Sequence, residues 1–537
     1  MVQWLYRKEK GVIVMKKLLI SVLAGLCVGT MALGLSSCDF SALNGTSAEI
    51  VNGVKLGLNN NSYEVIGMTG EVTDIVIPST HKGLPVTTIA SFAFSSCSSL
   101  TSVVIPDSVT SIGDYAFRNC SSLTSVEIPD SVTTIGKNAF RDCDSLTSVV
   151  ISDSVTTIGG WAFFNCSSLT SVVIPDSVTT IGEDAFSFCD SLTSVVIGDG
   201  VTTIGFYAFQ NCSSLTEVHI TDVEAWCNIS FGEYGANPLR YAKNLYLNGE
   251  LVEELEIPDT VTEIKAYAFP YCDSLTSVEI PDSVTTIGGS AFSWCQSLTS
   301  VVIGDNVTTI GDDAFAYCDS LTSVEIPDSV TSIGDCAFHN CDSLTSVVVP
   351  DSVISLGGYL FSDCDKLTSV VLPDSVLTME CYTFKNCVSL TDVVLPEGLE
   401  AITLGMFEGC KSLTSVVIPD GVTSIGEGAF KYCSSLTSIT IPDSSVAIRN
   451  EAFKNCKNLT EIVIPSDVVL IGKECFVGCD NLTSIVFENA YTWYVIDDYD
   501  NWIDRTGGTK RDVGDSEKNV TYFTSTYYDY YWYRYYF

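Results

Sequence analysis

Leu123-Thr-Ser-Val-Glu-Ile-Pro-Asp-Ser-Val-Thr-Thr-Ile-Gly-Lys-Asn-Ala-Phe-Arg-Asp-Cys143 decides the fold of this chain. Val126 and Ile128 alternate with Glu127, as a half-buried strand requires. Pro129-Asp130-Ser131 ends that strand, because proline fixes φ and has no N–H for a ladder, while Asp and Ser favour turns. Val132 and Ile135 form a second extended piece closed by Gly136, and Ala139-Phe140 is expected to return on a helical or 3₁₀ turn. No such unit buries its apolar side alone, but stacked copies bury one another's.

Copies are present in number. Cys recurs every 23 residues at Cys97, Cys120, Cys143, Cys166, Cys189 and Cys212, then at Cys272, Cys295, Cys318, Cys341, Cys364, Cys387, Cys410, Cys433, Cys456 and Cys479. A Phe precedes each by three residues and a Leu follows each by three. With a first, longer repeat starting at Val72 and one starting near Val252, the count is eighteen strand modules. Self-similarity at this period predicts a solenoid.

The Leu-x-x-Val-x-Ile-Pro strand, the Ile-Gly step and the Ala-Phe-x-x-Cys return resemble the bacterial surface leucine-rich repeat of BspA-like, Treponema-type proteins over residues 72–487. The resemblance implies an α/β solenoid: a right-handed superhelix of about 18 short parallel strands with short helical or 3₁₀ returns. It also implies a surface-exposed binding or adhesion role and names no ligand.

The flanks read differently. Lys16 and Lys17 precede the apolar run Leu18–Leu35, which makes residues 1–37 a secretory signal peptide, with 1–14 an over-extended start. Leu35-Ser-Ser-Cys38 resembles a lipobox, which implies lipidation of Cys38 and attachment to the bacterial membrane, with the repeats extracellular. Residues 38–61 read as a polar tether and 62–96 as an N-terminal capping repeat. Repeats then occupy 97–220 and 251–488. Between them, 221–250 is an insertion whose Asn248-Gly249 signals a hairpin turn. Residues 489–537, rich in Tyr and Trp, read as a C-terminal aromatic β cap or a small binding module.

The net charge of −39 argues against nucleic acid and against electrostatic docking on anionic lipid, leaving the lipid as the membrane contact. The ladder cysteines read as free buried thiols: side chains in a parallel stack keep their Cβ atoms farther apart than a disulfide wants, and no Cys-x-x-Cys pair suggests zinc. His81, His219 and His339 lie in separate repeats and cannot form a catalytic centre. Thirteen turn positions carry Asp at the repeat period, from Asp107 to Asp443. Turn chemistry explains them, with calcium bound by stacked carboxylates as the alternative; no other cofactor is expected.

Two recognition surfaces are expected. One is the concave sheet face, with its Thr/Ser rows and the outward row that includes Val104, Glu127, Val150, Val173, Val196 and His219. The other is the position just before the ladder Cys, where Tyr271, Trp294 and Tyr317 make an aromatic stripe. The chain is therefore expected to be a non-catalytic scaffold for a host or neighbouring-cell protein or glycan. A structural spacer that self-associates is the second reading. An exported enzyme with its chemistry in a non-repeat segment is the third.

Overall fold

A computed structural model describes residues 48–70 and 72–488, together with 493–496, 509–511, 513, 516–526 and 529–534. Cys38 and the segments read as signal peptide and start extension lie outside these residues, as does the tether as far as residue 47. Most repeats contribute two strands, and at Val417 and Thr440 the longer one shortens to a single bridge. A longer one such as Ser125–Glu127 pairs in parallel with its neighbours in one column, and a two-residue one such as Thr134–Ile135 pairs in a second column. The registers hold identical positions opposite each other, Val126 with Val149 and Ile135 with Ile158. Between the columns run a line of buried Leu, Val and Ile and a stack of buried Phe rings. Phe117 and Phe140 lie 5.0 Å apart and 4° from parallel, and the same stacking runs from Phe94 to Phe209 and from Phe269 to Phe476.

The consensus residues each have a mechanical reason. The turn serine donates to a valine carbonyl of the preceding repeat, as Ser177 does to Val155 at 2.8 Å. At Gly136 a Cβ would lie 2.6 Å from the backbone of Gly113, so successive turns approach too closely for any other residue without a shift. Each ladder thiol from Cys120 onward, except Cys272, donates to the carbonyl of the Phe 26 residues earlier, as Cys143 does to Phe117 at 3.2 Å. The cysteine is thus small, apolar and a weak donor at once. The described cysteines are free thiols, and burial holds Cys212 and Cys341 up at about 12.

The return segment, expected as a helical or 3₁₀ turn, is built otherwise. Two residues per repeat, two before and two after the ladder Phe, take left-handed φ near +60°: Tyr115 and Asn119, then Asn138 and Asp142. Left- and right-handed residues alternate, which breaks any helix. The alternation turns N–H groups along the solenoid axis, so Tyr115, Phe117 and Asn119 donate to Lys137, Ala139 and Arg141 of the next repeat. The N–H groups that follow them, those of Ala116, Arg118 and Cys120, close i→i−3 turns onto Gly113, Tyr115 and Phe117, so neighbouring repeats and tight turns, not i→i−4 bonds, satisfy this backbone.

Both ends and the middle interrupt the array. The stretch expected as tether forms strands Glu49–Val51 and Val54–Asn59, which pair antiparallel with each other, and the second of them pairs antiparallel with Ser62–Met68 on the edge of the second column. The Asn/Gly positions of this stretch are hairpin turns, with Asn52, Gly53 and Asn60 left-handed, while Val54 and Leu56 are buried. Hydrogen bonds from His81 and Lys82 hold the Glu49 carboxyl down to about 2. In the insertion, Asn248 and Gly249 are both left-handed and join Leu245–Leu247 to Glu250–Leu251. That short antiparallel strand ends the first long-strand column, and a new one starts at Glu254–Glu256. Trp226 and Asn237 replace the missing backbone donors, both giving hydrogen bonds to the Ala268 carbonyl (2.8 and 3.0 Å). At the C-terminal end, Tyr531–Arg534 pairs antiparallel with Leu470–Ile471, and buried Trp493, Phe523 and Trp532 close the core against Phe476 and Phe487.

Candidate functional site

On the long-strand face the outward row is exposed and largely apolar, reaching 71% and 80% exposure at Val394 and Val417. The threonines beside it are already occupied. Thr124, Thr147 and Thr193 each donate to the carbonyl of the equivalent Thr one repeat earlier (3.0–3.2 Å). Their protons are spent on the array, and methyl groups and lone pairs face outward. This face offers contact area with few free donors.

The return face carries more specific chemistry. In the row just before the ladder Cys, left-handed φ favours Asn, Asp or Gly. Asn119, Asp142, Asn165, Asn211, Asn340, Asp363, Asn386, Gly409, Asn455 and Gly478 obey that preference. Their side chains join across repeats, as Asn386 donates to Asp363 at 2.8 Å. Phe188, Tyr271, Trp294, Tyr317 and Tyr432 adopt the same φ without that advantage. The structure brings Tyr271, Trp294 and Tyr317 together as one column. Tyr271 and Trp294 stack at 5.5 Å, and Trp294 and Tyr317 at 3.9 Å and 9°. Such contacts offset part of a left-handed backbone cost on the order of 1 kcal/mol.

Two further residues close this column, Tyr234, which no sequence pattern marks, and His339. Tyr234, from the insertion, packs its ring edge-on against Tyr271 at 5.3 Å, and burial pushes its hydroxyl pKa well up. His339 meets Tyr317 edge-on at 5.0 Å, with Nε2 3.2 Å from the Tyr hydroxyl and Nδ1 2.6 Å from Ser362 Oγ. The inner ring faces are therefore covered, and the half-buried column presents ring edges. A second aromatic row, two residues before the ladder Phe, also escaped the sequence reading. It includes Tyr115, Trp161, Tyr359 and Tyr382, and its signal was the same 23-residue period at a position otherwise rich in Asn, Asp and Gly.

The charge around the column is one-sided. Residues 266–365 contain fourteen Asp and Glu and no Lys or Arg. Burial, then the neighbouring Asp312, pushes the Asp313 carboxyl above its usual range. Burial also raises Asp319, although hydrogen bonds from Asn340 and Gln296 oppose it. Asp342 is raised by burial and by the carboxylates of Asp365, Asp319 and Asp363. The Oδ1 atoms of Asp273 and Asp319 lie buried without a hydrogen-bond partner.

The other expected chemistry stays dispersed. His81, His219 and His339 bond to Glu49, Glu217 and Ser362, each in its own part of the array. Several turn aspartates accept a backbone N–H of the next repeat, as Asp282 does from Asp305 at 2.8 Å. Among the described residues no group of three or more His, Cys, Asp or Glu could hold a metal ion, and no helix is long and apolar enough to cross a membrane.

A family model described as "BspA type Leucine rich repeat region" matches residues 71–222, 242–364, 308–434 and 401–499. A leucine-rich repeat protein from Bacteroides ovatus ATCC 8483 is 24% identical, with TM-score 0.43 over 81% of this chain and 94% of its own. A leucine rich cell surface protein from Faecalibacterium prausnitzii A2-165 is 28% identical, with TM-score 0.37 over 86% of this chain and 97% of its own. The T. pallidum leucine rich repeat protein is 24% identical, with TM-score 0.26 over 47% of this chain and 91% of its own. No curated protein matches the chain. The family model spans well over half of the sequence in register with the repeats described above, so this chain belongs to the BspA-type leucine-rich-repeat family.

Proposed function

We propose that this chain is a non-catalytic adhesin-type scaffold, anchored at the bacterial surface through Cys38, that binds a host or neighbouring-cell protein or glycan. One observation carries the reading: repeat after repeat offers an exposed side chain at the same spacing, while the hydroxyls and thiols that could do chemistry are spent on the preceding repeat. Weak contacts repeated on a rigid frame add through avidity. Leucine-rich-repeat proteins are generally non-catalytic, which supports this reading. The covered ring faces at Tyr271, Trp294 and Tyr317 favour protein over sugar at that place, because sugar stacking needs an open face. The test is a cell-surface and extracellular-matrix protein array beside a glycan array, probed with the chain from residue 38 onward. Saturable capture of a protein class is expected. No capture on either array, with or without calcium, would sink the proposal.

A further inference from the structure

We infer that the Tyr271–Trp294–Tyr317 column and its flanking carboxylates form a docking strip for an arginine-rich, extended polypeptide segment. The inference rests on the binding-scaffold reading above and narrows its partner. Three observations converge. First, the column sits in one hundred residues with no Lys or Arg, and its fourteen acidic side chains meet few cations: His339 from within the stretch, and Lys243 from outside it, which reaches Asp273 at 2.9 Å. His339 Nδ1 stands 3.7 Å from Asp363. Second, Asp273 and Asp319 are each bonded at one oxygen, to Lys243 and Gln296, while the other oxygen lies buried without a hydrogen-bond partner, a state that costs free energy and that a nearby positive charge would ease. Third, three aromatic rings occupy a backbone conformation that ten other repeats give to Asn, Asp or Gly. Local strain of this kind persists where the surroundings impose it, and it gathers at binding sites.

The arrangement selects among cations. A calcium ion wants six to eight oxygens converging on one point. Here the carboxylates are spread along the axis at repeat spacing, and no convergent group is present among the described residues. Separated charges suit a chain of separated cations. A guanidinium offers a planar fork that a carboxylate accepts in bidentate fashion, and its aliphatic stem covers apolar ring edges. Cation–π contact on the inner ring faces is closed by the stacking itself. Recognition therefore falls to Asp313, Asp319 and Asp363 and to the Tyr hydroxyl oxygens, with the rings as a rigid spine. Three repeats span roughly 15 Å at strand spacing, which an extended segment on the order of six residues covers.

The experiment measures binding of an oligoarginine of about six residues, and of an oligoglutamine of the same length, to the chain from residue 38 onward. Oligoarginine is expected to bind with an affinity that falls as salt rises, and oligoglutamine not to bind. The combined variant D313N/D319N/D363N is expected to lose about tenfold in affinity or more. Y271N/W294N/Y317N gives the rings the residue that other repeats use there, so folding is kept, and a loss of roughly threefold to tenfold is expected. D107N/D130N/D153N removes the same charge from the first block and should change affinity less than about twofold. The inference falls if this control loses as much as the strip variant, because attraction is then diffuse. It also falls if oligoarginine fails to bind, or if calcium displaces it competitively. Array capture that survives D313N/D319N/D363N removes the strip and leaves the scaffold reading standing. Absence of all capture removes the scaffold reading itself.

Discussion

Between residues 266 and 365 the outer layer of the returns is aromatic and acidic; between 380 and 480 it is a chain of ion pairs. In the later stretch Lys385 and Lys431 flank Glu408 at 4.0 Å each, Lys431 reaches Glu451 at 2.6 Å, Lys454 reaches Glu451 at 2.7 Å, and Lys454 also pairs with Glu474. Beneath both layers the same Phe stack, the same thiol-to-carbonyl bonds and the same left-handed alternation continue. The difference teaches which positions the fold dictates and which it leaves open. Inward positions are set by stacking. Outward positions on the return vary, and the two regions differ in how they do so: one pairs its carboxylates with lysines of the same stretch, the other has no Lys or Arg of its own and meets one at Asp273, through Lys243.

The strongest way to break the comparison is to attack the shared layer. Phe315→Ala in the acidic region and Phe430→Ala in the ion-paired region each remove a fully buried ring from the stack. Each should cost about 3–5 kcal/mol, and the two costs should agree within about 1 kcal/mol. Denaturant unfolding of both variants checks this. A larger gap would show that the outer layers reach into the core and that the regions differ throughout.

Next comes the left-handed row. Asn119→Trp places a bulky ring at φ 58° between Ser96 and Asp142, with no aromatic neighbour in the same row, whereas Trp294→Asn removes a ring and relieves a φ of 64°. The first should destabilise by about 1–2 kcal/mol, from backbone cost without a stack to offset it. The second should lie within about 1 kcal/mol of the parent, since the lost stack and the relieved backbone oppose each other. If Trp294→Asn proved as costly as a core truncation, the aromatic column would be structural and the docking strip would lose its rationale.

How much of this was legible before any coordinates depended on what each position answers to. Leu123, Val126, Ile135, Phe140 and Cys143 answer to burial, and their period alone placed them in a stacked core. Asn248-Gly249 carried its own turn geometry. The return was misread because Ala139-Phe140 looks like an apolar helical step, whereas the left-handed residues at Asn138 and Asp142 are stabilised by the repeat after them, which no local pattern displays. The same holds for Glu49–Asn59: short polar hairpins and flexible tethers share Asn and Gly, and only the buried edge of the second column separates them. At the candidate site the stripe itself was legible from Tyr271, Trp294 and Tyr317 at one spacing. Tyr234 was not, because it arrives from an insertion with no period.

Breaking the ion-pair chain should have a smaller effect than any of these. Lys431→Met keeps the aliphatic stem but withdraws a cation from Glu408 and Glu451 at once. These groups are partly solvent-exposed, so a loss of about 0.5–1 kcal/mol is expected, reduced at high salt. The matching change in the acidic region, Asp342→Asn, should be neutral or stabilising, because it removes a carboxyl that burial and then its neighbouring carboxylates already push toward the protonated form.

The finest discrimination is in pH dependence, where the two regions should respond with opposite sign. Asp313, Asp319 and Asp342 titrate above their ordinary range in the folded chain, so their ionised forms are disfavoured by folding. Stability from this source is greatest where they are protonated and declines as pH rises through their folded values. Burial pushes Glu451 upward too, but hydrogen bonds from Lys431 and Lys454 outweigh it and leave the carboxyl below its ordinary range. Its contribution is present above the unfolded value near 4.5 and is lost as pH falls below it. Hydrogen exchange followed by fragment mass analysis resolves the two stretches within one molecule. On lowering pH from about 6 to about 4, with intrinsic exchange rates corrected, protection in the 266–365 returns should rise or hold while protection in the 380–480 returns should fall. Parallel loss in both would mean that the carboxylates around the aromatic column are paired after all, and an unoccupied strip for a cationic chain would no longer follow.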